Sequence, residues 1–134
     1  MKTIRKISLF LVLMGLLLAA CSGGEDQDPS VAFCSALSEL IETGPTIDAL
    51  GEVADLAQIV QLGNAMDTNW QALSNAAEGM DDATQTAFAS FDEPYTAIPA
   101  ITQETAMPVA RTSLDAKNAI VADAYNALYP GNCQ

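Results

Sequence analysis

The amino-acid sequence predicts an all-α protein, a small antiparallel bundle of about four helices closed by one disulfide. Apolar residues recur at spacings of three and four along most of the chain after residue 28, as on the buried face of a helix. Prolines and glycines divide this pattern into segments of helix length. No segment alternates apolar and polar residues over a useful length, so the sequence predicts no β-strand.

The first helix is predicted to begin after Asp28, which can cap it, with Pro29 at the first helical position. Gly44 and Pro45 are predicted to end this helix, because glycine and proline commonly follow a helix terminus. Between these limits, four apolar side chains recur at helical spacing: Phe33, Leu37, Leu40 and Ile41.

The second segment runs from about Asp48 to Gly79 and carries a long apolar stripe that includes Trp70. Gly63 and Asn64 are a candidate break, because glycine inside a helix costs about 1 kcal/mol relative to alanine. The pattern therefore leaves open whether residues 46–80 form one helix or two. Trp70 keeps register with the stripe, which favours a place in the core over a pocket wall or an interface.

The third and fourth helices are predicted from the same features, namely capping residues, apolar spacing and prolines at helix ends. The stretch "MDDATQTAFASFDEP" is predicted to form a helix capped by Asp81, burying Phe88 and Phe91 and ended by Pro94. Prolines then interrupt the chain up to residue 107, which predicts a connection. The last helix is predicted from about Pro108 to Tyr129, with "PG" at 130–131 as its stop.

The start of the chain has the composition of a targeting segment. Three cations stand within residues 1–6, and the stretch from Ile7 to Ala20 contains no charge. A basic start followed by a short apolar run is typical of a secretory signal peptide. The run is shorter than the roughly 20 apolar residues that a membrane-spanning helix needs.

The residues that close this run, "LAAC" from Leu18 to Cys21, resemble the lipobox of bacterial lipoproteins. The resemblance covers only residues 1–21, and the folded domain resembles no family by its sequence pattern. It implies cleavage between Ala20 and Cys21 and attachment of diacylglycerol to Cys21. It also implies a location on the extracytoplasmic face of a bacterial membrane, held through that lipid.

These observations give three parts of the chain. Residues 1–20 are predicted to be a lipoprotein signal peptide, and residues 29–134 a helical bundle domain. Residues 21–28 contain glycines and acids but no apolar side chain beyond Cys21, which predicts a lipidated flexible tether. A coil of that length spans about 15 Å root-mean-square.

The chain contains three cysteines, Cys21, Cys34 and Cys133. If Cys21 carries lipid, the other two remain as a pair in an oxidising compartment, which favours a Cys34–Cys133 disulfide. Two free buried thiols or a shared metal are the alternatives, although the absence of histidine removes the commonest partner ligand. Four antiparallel helices would place both cysteines at the same end of the bundle, whereas three would separate them by a helix length.

The charge is strongly unbalanced. All 17 acids follow residue 20, where the only cations are Arg111 and Lys117. Such a surface repels nucleic acid and anionic lipid headgroups, so we expect no nucleic-acid partner.

The sequence offers little for catalysis. Without histidine, Ser-His-Asp and Cys-His arrangements are impossible. Ser113 and Lys117 are four positions apart and can touch on a helix, but the S-x-x-x-K spacing does not match the S-x-x-K motif. The preferred interpretation makes Arg111 and Lys117 ordinary surface cations, with Arg111 paired to Asp115.

The acidic pairs Asp81-Asp82 and Asp92-Glu93 bracket the third helix but match no calcium-loop pattern. Capping of the helix accounts better for the first pair. Tyrosines and methionines show no ligand spacing. We therefore predict no catalytic residue, no cofactor and no metal site.

Two functions remain. The preferred one is a non-catalytic protein-interaction or accessory module of the cell envelope. The alternative is a carrier that binds a small apolar or lipidic ligand between its helices, which would require a solvent-reachable cavity of at least ~300 Å³ with apolar walls.

Overall fold

The computed structural model describes residues 28–51 and 54–134. The predicted signal peptide, the lipidation site Cys21 and the tether as far as residue 27 lie outside the described residues. Within those limits the chain forms no strand and four helices: α1 (Pro29–Ala49), α2 (Leu56–Ala77), α3 (Asp82–Thr96) and α4 (Met107–Asn132). The predicted all-α class is confirmed.

The helices form an antiparallel four-helix bundle. Each helix packs on the next along the chain, and α4 returns to pack on α1. The helices α2 and α4 also touch across the bundle, whereas α1 and α3 do not. Short connections join successive helices, as expected for antiparallel neighbours. Among residues 28–51 and 54–134, no helix combines the length and the apolar character needed to cross a membrane.

Two predicted helix caps are confirmed. The Asp28 side chain accepts a hydrogen bond from the Ser30 N–H at 2.9 Å, with Pro29 in the first turn of α1. The Asp81 side chain accepts from the Thr84 N–H at 2.9 Å at the start of α3. Each carboxylate satisfies an N–H group that the first turn of a helix leaves without a partner.

The start of the second helix was placed too early by the sequence. Helix α2 begins after Asp55, whose side chain accepts from the Gln58 N–H while the Gln58 side chain accepts from the Asp55 N–H. This capping box fixes the boundary. The helix then continues without a break through Gly63, where an added Cβ would lie 3.1 Å from Ile101 Cδ1. A close approach of the α3–α4 connection, and not a helix end, accounts for this glycine.

The three predicted stops at prolines were wrong. Pro45, Pro94 and Pro130 lie inside α1, α3 and α4, which continue past them to the ends given above. A proline removes only its own N–H donor and crowds the preceding turn, so residues after it can still donate backwards. The Cys133 N–H, for example, bonds the Tyr129 carbonyl at 2.8 Å across Pro130.

Cys34 and Cys133 form the predicted disulfide, with Cα atoms 5.5 Å apart. The bond joins the second turn of α1 to the residue that follows α4, so both cysteines lie at the same end of the bundle. It closes a loop with a sequence separation of 99. In the chain-entropy model a loop of this size contributes about 4.7 kcal/mol of stability.

The core runs along the middle of the bundle. Trp70 is 3% exposed, which confirms its predicted place in the core, although it also contributes to the lining of a surface depression. The largest fully buried side chains come from α1, α2 and α4: Phe33, Leu37, Leu40, Ile59, Met66, Leu73, Leu114 and Val121.

Candidate functional site

A buried ion pair lies between α2 and α4. The Lys117 Nζ is 2.6 Å from Asp67 Oδ1, and the two side chains are 3% and 32% exposed. The interpretation of Lys117 as an ordinary surface cation was therefore wrong. Lys117 follows Leu114 by three positions and precedes Val121 by four, and both of these residues are buried, so helical spacing places Lys117 on the core face of α4.

Tyr95 of α3 joins this pair from the third helix. Its hydroxyl donates to Asp67 Oδ1 at 2.8 Å, and the Lys117 ammonium lies 5.0 Å from the centre of its ring. Burial of the ring raises the pKa of Tyr95 well above its ordinary value, and the hydrogen bond and charge of Asp67 act in the same direction. The phenol therefore stays protonated and remains a donor.

Trp70 extends the arrangement towards the core. Its indole stacks on the Tyr95 ring with centroids 4.0 Å apart and planes 6° from parallel, and it also packs on Phe88 at 5.5 Å. The indole Nε1–H donates to Asp92 Oδ1 at 2.8 Å. Asp92, one of the two acids at the end of α3, thus holds the tryptophan. We call Asp67, Trp70, Tyr95 and Lys117 the ion-pair cluster.

A depression open to solvent lies beside the ion-pair cluster. Its volume is about 240 Å³, and α2, the end of α3, the α3–α4 connection and α4 all contribute to its lining: Asp67, Trp70, Gln71, Tyr95, Thr96, Ile98, Ala100 and Lys117. A shallower groove of about 600 Å³ continues along α2 and shares Asp67 and Gln71 with the depression. The other residues of that groove are uncharged: Asn64, Thr68, Ala72 and Asn75.

A second groove of about 490 Å³ lies at the disulfide end of the bundle. Val31, 55% exposed, lines it together with Tyr129 and both cysteines of the disulfide. Its remaining residues are polar and uncharged: Ser30, Ser35, Ser38, Asn132 and Gln134. The groove lies close to the start of α1, where the described part of the chain begins.

The contact between Ser113 and Lys117 that helical spacing would allow is not formed. The described residues hold no hydrogen bond between Ser113 and Lys117, because Asp67 takes the lysine ammonium. The predicted pair of Arg111 and Asp115 is wrong. The Arg111 guanidinium instead donates to the carbonyl oxygen of Gly51, which closes α4 against the end of the α1 segment.

The acids at the start of α3 act as expected for a helix N-terminus. Asp81 caps the helix, and the hydrogen bond from the Thr84 N–H lowers the pKa of the Asp81 carboxyl. Asp82 occupies the first turn. Within residues 28–51 and 54–134, no three cysteine, aspartate or glutamate side chains come together as a possible metal site.

The outer surface is acidic on α1, α3 and α4, whereas the exposed residues of α2 are uncharged. In the described part of the chain the Lys117–Asp67 pair is the one salt bridge. Twelve carboxylates are exposed, and they lie on α1, α3 and α4 and between or beside the helices: Asp28, Glu39, Glu42, Asp48, Asp55, Glu78, Asp81, Asp82, Glu93, Glu104, Asp115 and Asp123. The two cations after residue 20 both bind groups of the fold: Lys117 binds Asp67, and Arg111 binds the Gly51 carbonyl.

Fold and site together define a small, disulfide-closed four-helix bundle with a buried ion pair beside a surface depression. Comparison of the chain with protein-family models, with curated proteins and with solved structures gives no match.

Proposed function

We propose that the protein is a bacterial lipoprotein, held on the extracytoplasmic face of a membrane by lipid on Cys21. The observation that carries this proposal is the division of the three cysteines. Cys34 and Cys133 are joined, which leaves Cys21 as the odd cysteine, directly after the short apolar run. Disulfides persist in oxidising compartments, which an exported lipoprotein reaches and a cytosolic protein does not.

The lipid would hold the disulfide end of the bundle nearest the membrane. Cys21 precedes the cap residue Asp28 by only a short acidic segment, and α1 begins at the end that carries the disulfide. Two acyl chains give stable attachment, whereas one gives only marginal binding at about 0.8 kcal/mol per buried methylene. The bundle would therefore stay within a few nanometres of the bilayer without crossing it.

We further propose that the bundle is a non-catalytic interaction or accessory module of the cell envelope. Within residues 28–51 and 54–134 its exposed carboxylates form no salt bridge, so the bundle presents negative charge on α1, α3 and α4 and at its ends. Such a field speeds and orients the encounter with a protein that presents a basic face. It also keeps the bundle off anionic headgroups and disfavours nucleic acid.

A carrier of an apolar or lipidic ligand ranks second. Such a carrier needs apolar walls, and the depression beside the ion-pair cluster contains the charges of Asp67 and Lys117. The groove at the disulfide end has the exposed Val31 but a rim of serines and amides.

The anchor is tested by metabolic labelling. Cells that express the chain are fed an alkyne fatty acid, and the protein is followed by in-gel fluorescence and membrane fractionation. We expect label and membrane association for the wild-type chain, and loss of both for Cys21→Ser. A Cys34→Ser variant is the matched control and should keep the label. An unlabelled wild-type chain, or label that persists in Cys21→Ser, would refute the lipid anchor.

The interaction module is tested by photocrosslinking in intact membranes. A photoreactive residue is placed at Glu39 on α1 or at Asp123 on α4, both exposed. We expect a crosslinked protein with a basic surface whose yield falls as salt rises, because the Debye length shortens from about 10 Å at 0.1 M to 3 Å at 1 M. A yield that does not depend on salt at either position would contradict a charge-driven partner.

A further inference from the structure

The Lys117 ammonium is a buried cation with more hydrogen-bond donors than the described residues use. An ammonium carries three N–H donors, and among the described residues its hydrogen-bond acceptor is Asp67 Oδ1. The same Oδ1 also accepts from the Tyr95 hydroxyl. The second carboxylate oxygen of Asp67 receives no hydrogen bond from the described residues, and the side chain is one-third exposed. Both charged residues line the depression.

The depression is small. At about 240 Å³ it falls below the ~300 Å³ at which pockets for drug-sized ligands begin. A water molecule occupies about 30 Å³ of liquid, so the space suits a ligand of roughly eight non-hydrogen atoms. Ile98 and Ala100 add apolar surface to the lining, and Gln71 and Thr96 add polar groups.

We propose that this depression binds a small zwitterion, namely a free α-amino acid. The ligand carboxylate accepts hydrogen bonds from Lys117, and the ligand ammonium donates to the second carboxylate oxygen of Asp67. The four charges then alternate in sign, so each is next to two opposite charges. This inference depends on the ion-pair cluster, and it stands whether or not the lipid anchor or the protein partner is found.

The charge pattern also sets the selectivity. A ligand with only a carboxylate reaches Lys117 but meets the negative charge of Asp67 close by. A ligand with only an ammonium reaches Asp67 but meets the positive charge of Lys117. An apolar ligand pairs with neither charge and has to displace the water around both. Only a ligand that carries both charges side by side satisfies both residues.

Trp70 supplies the signal for a direct binding assay. It is the single tryptophan of the chain, it lines the depression, and it stacks on Tyr95. The full chain in detergent is titrated with glycine, L-alanine and L-leucine, and binding is followed by tryptophan fluorescence and calorimetry. The matched controls are two blocked forms of leucine that are no larger than leucine itself: 4-methylpentanoate, which lacks the ammonium, and L-leucinamide, which lacks the carboxylate.

We expect at least one of the three amino acids to bind saturably, with a dissociation constant between about 1 µM and 1 mM. Each blocked form of leucine should bind at least about tenfold more weakly than leucine, because it lacks one of the two charge pairs. If none of the three amino acids binds, or if both blocked forms bind as well as leucine, the proposal is overturned.

Two variants locate the site. Ala100→Phe places a ring in the lining of the depression while both members of the ion pair are kept, and Ala97→Phe places the same ring at an exposed residue outside that lining. Phenylalanine adds no signal when tryptophan alone is excited. Binding should weaken at least about tenfold in Ala100→Phe and stay within about twofold of wild type in Ala97→Phe, with thermal melting as the folding control. Unchanged binding in a folded Ala100→Phe variant would place the ligand elsewhere and overturn the proposal.

Discussion

Removing the charge of Asp67 should destabilise the bundle more than removing the charge of Lys117, although the two form one ion pair. The reason is the residue left behind. Asp67→Asn keeps the shape of the side chain and an oxygen for Tyr95, but it leaves an ammonium that is 3% exposed without a counter-charge. Lys117→Met leaves a carboxylate that is 32% exposed and still accepts from Tyr95.

The magnitudes follow from these exposures. Breaking a buried pair by removing one partner costs about 3–5 kcal/mol, and the retained amide oxygen lowers this to about 2–4 kcal/mol for Asp67→Asn. In Lys117→Met the methionine side chain fills the space of the aliphatic part of the lysine, and water can hydrate the remaining carboxylate of Asp67. The loss is then mainly the cation–π contact with Tyr95, about 1 kcal/mol. The double variant holds no unpaired charge and should be more stable than Asp67→Asn alone.

Urea denaturation followed by far-ultraviolet circular dichroism, with the disulfide intact, measures all three free energies of unfolding. We expect Asp67→Asn to lose at least about 1 kcal/mol more than Lys117→Met, and the double variant to recover about 2 kcal/mol relative to Asp67→Asn. Equal losses for the two single variants, or a double variant that loses their sum, would refute the assignment of Lys117 as the more deeply buried partner.

Three other predictions concern stability. An alanine Cβ at Gly79 would lie 2.8 Å from Pro29 Cβ, so Gly79→Ala should lower the free energy of unfolding by about 1–3 kcal/mol. Gly131 has open space around it, so Gly131→Ala should cost nothing. Equal effects of the two variants in urea melts would contradict this packing. Asp81→Ala should lower the melting temperature at neutral pH. Because the pKa of Asp81 is lowered in the fold, the charged carboxylate contributes stability above the ordinary aspartate pKa of about 3.9. The difference in melting temperature between the variant and wild type should therefore shrink as the pH falls below that value. A difference that does not depend on pH would argue against the charged cap. The pKa of Tyr95 is raised in the fold, so its pH dependence runs the other way: its contribution to stability is complete below about pH 10 and is lost above it. In alkaline urea melts, wild type should therefore lose stability more steeply than Tyr95→Phe. Parallel curves for the two proteins would contradict the buried phenol.

Features encoded within a few residues were predictable from the sequence. Asp28 and Asp81 stand directly before apolar-periodic segments, and each caps the helix expected there. The disulfide was also predictable, because the resemblance to a lipobox sets Cys21 apart as the expected lipid site and leaves Cys34 and Cys133 as a pair, which four antiparallel helices place at the same end of the bundle. These inferences needed no knowledge of tertiary contacts.

Helix ends and the site were harder to predict because tertiary contacts decide them. Pro45 and Pro130 are typical stops, yet packing carries α1 and α4 past both. Lys117 keeps the spacing of buried residues, but its charge suggested a surface position. The reason for its burial is Asp67, 50 residues earlier, and the pattern gave no sign that these two positions meet. The one available signal was a lysine in register with a core stripe.

The central claim is that Cys21 carries lipid while Cys34 and Cys133 are joined. Intact-mass spectrometry of the protein extracted from its own membrane tests both parts in one spectrum. We expect a chain that begins at Cys21, heavier by a diacylglycerol group and lighter by the two hydrogens of one disulfide. A full-length chain with an intact leader, no added lipid and three alkylatable thiols would contradict the account.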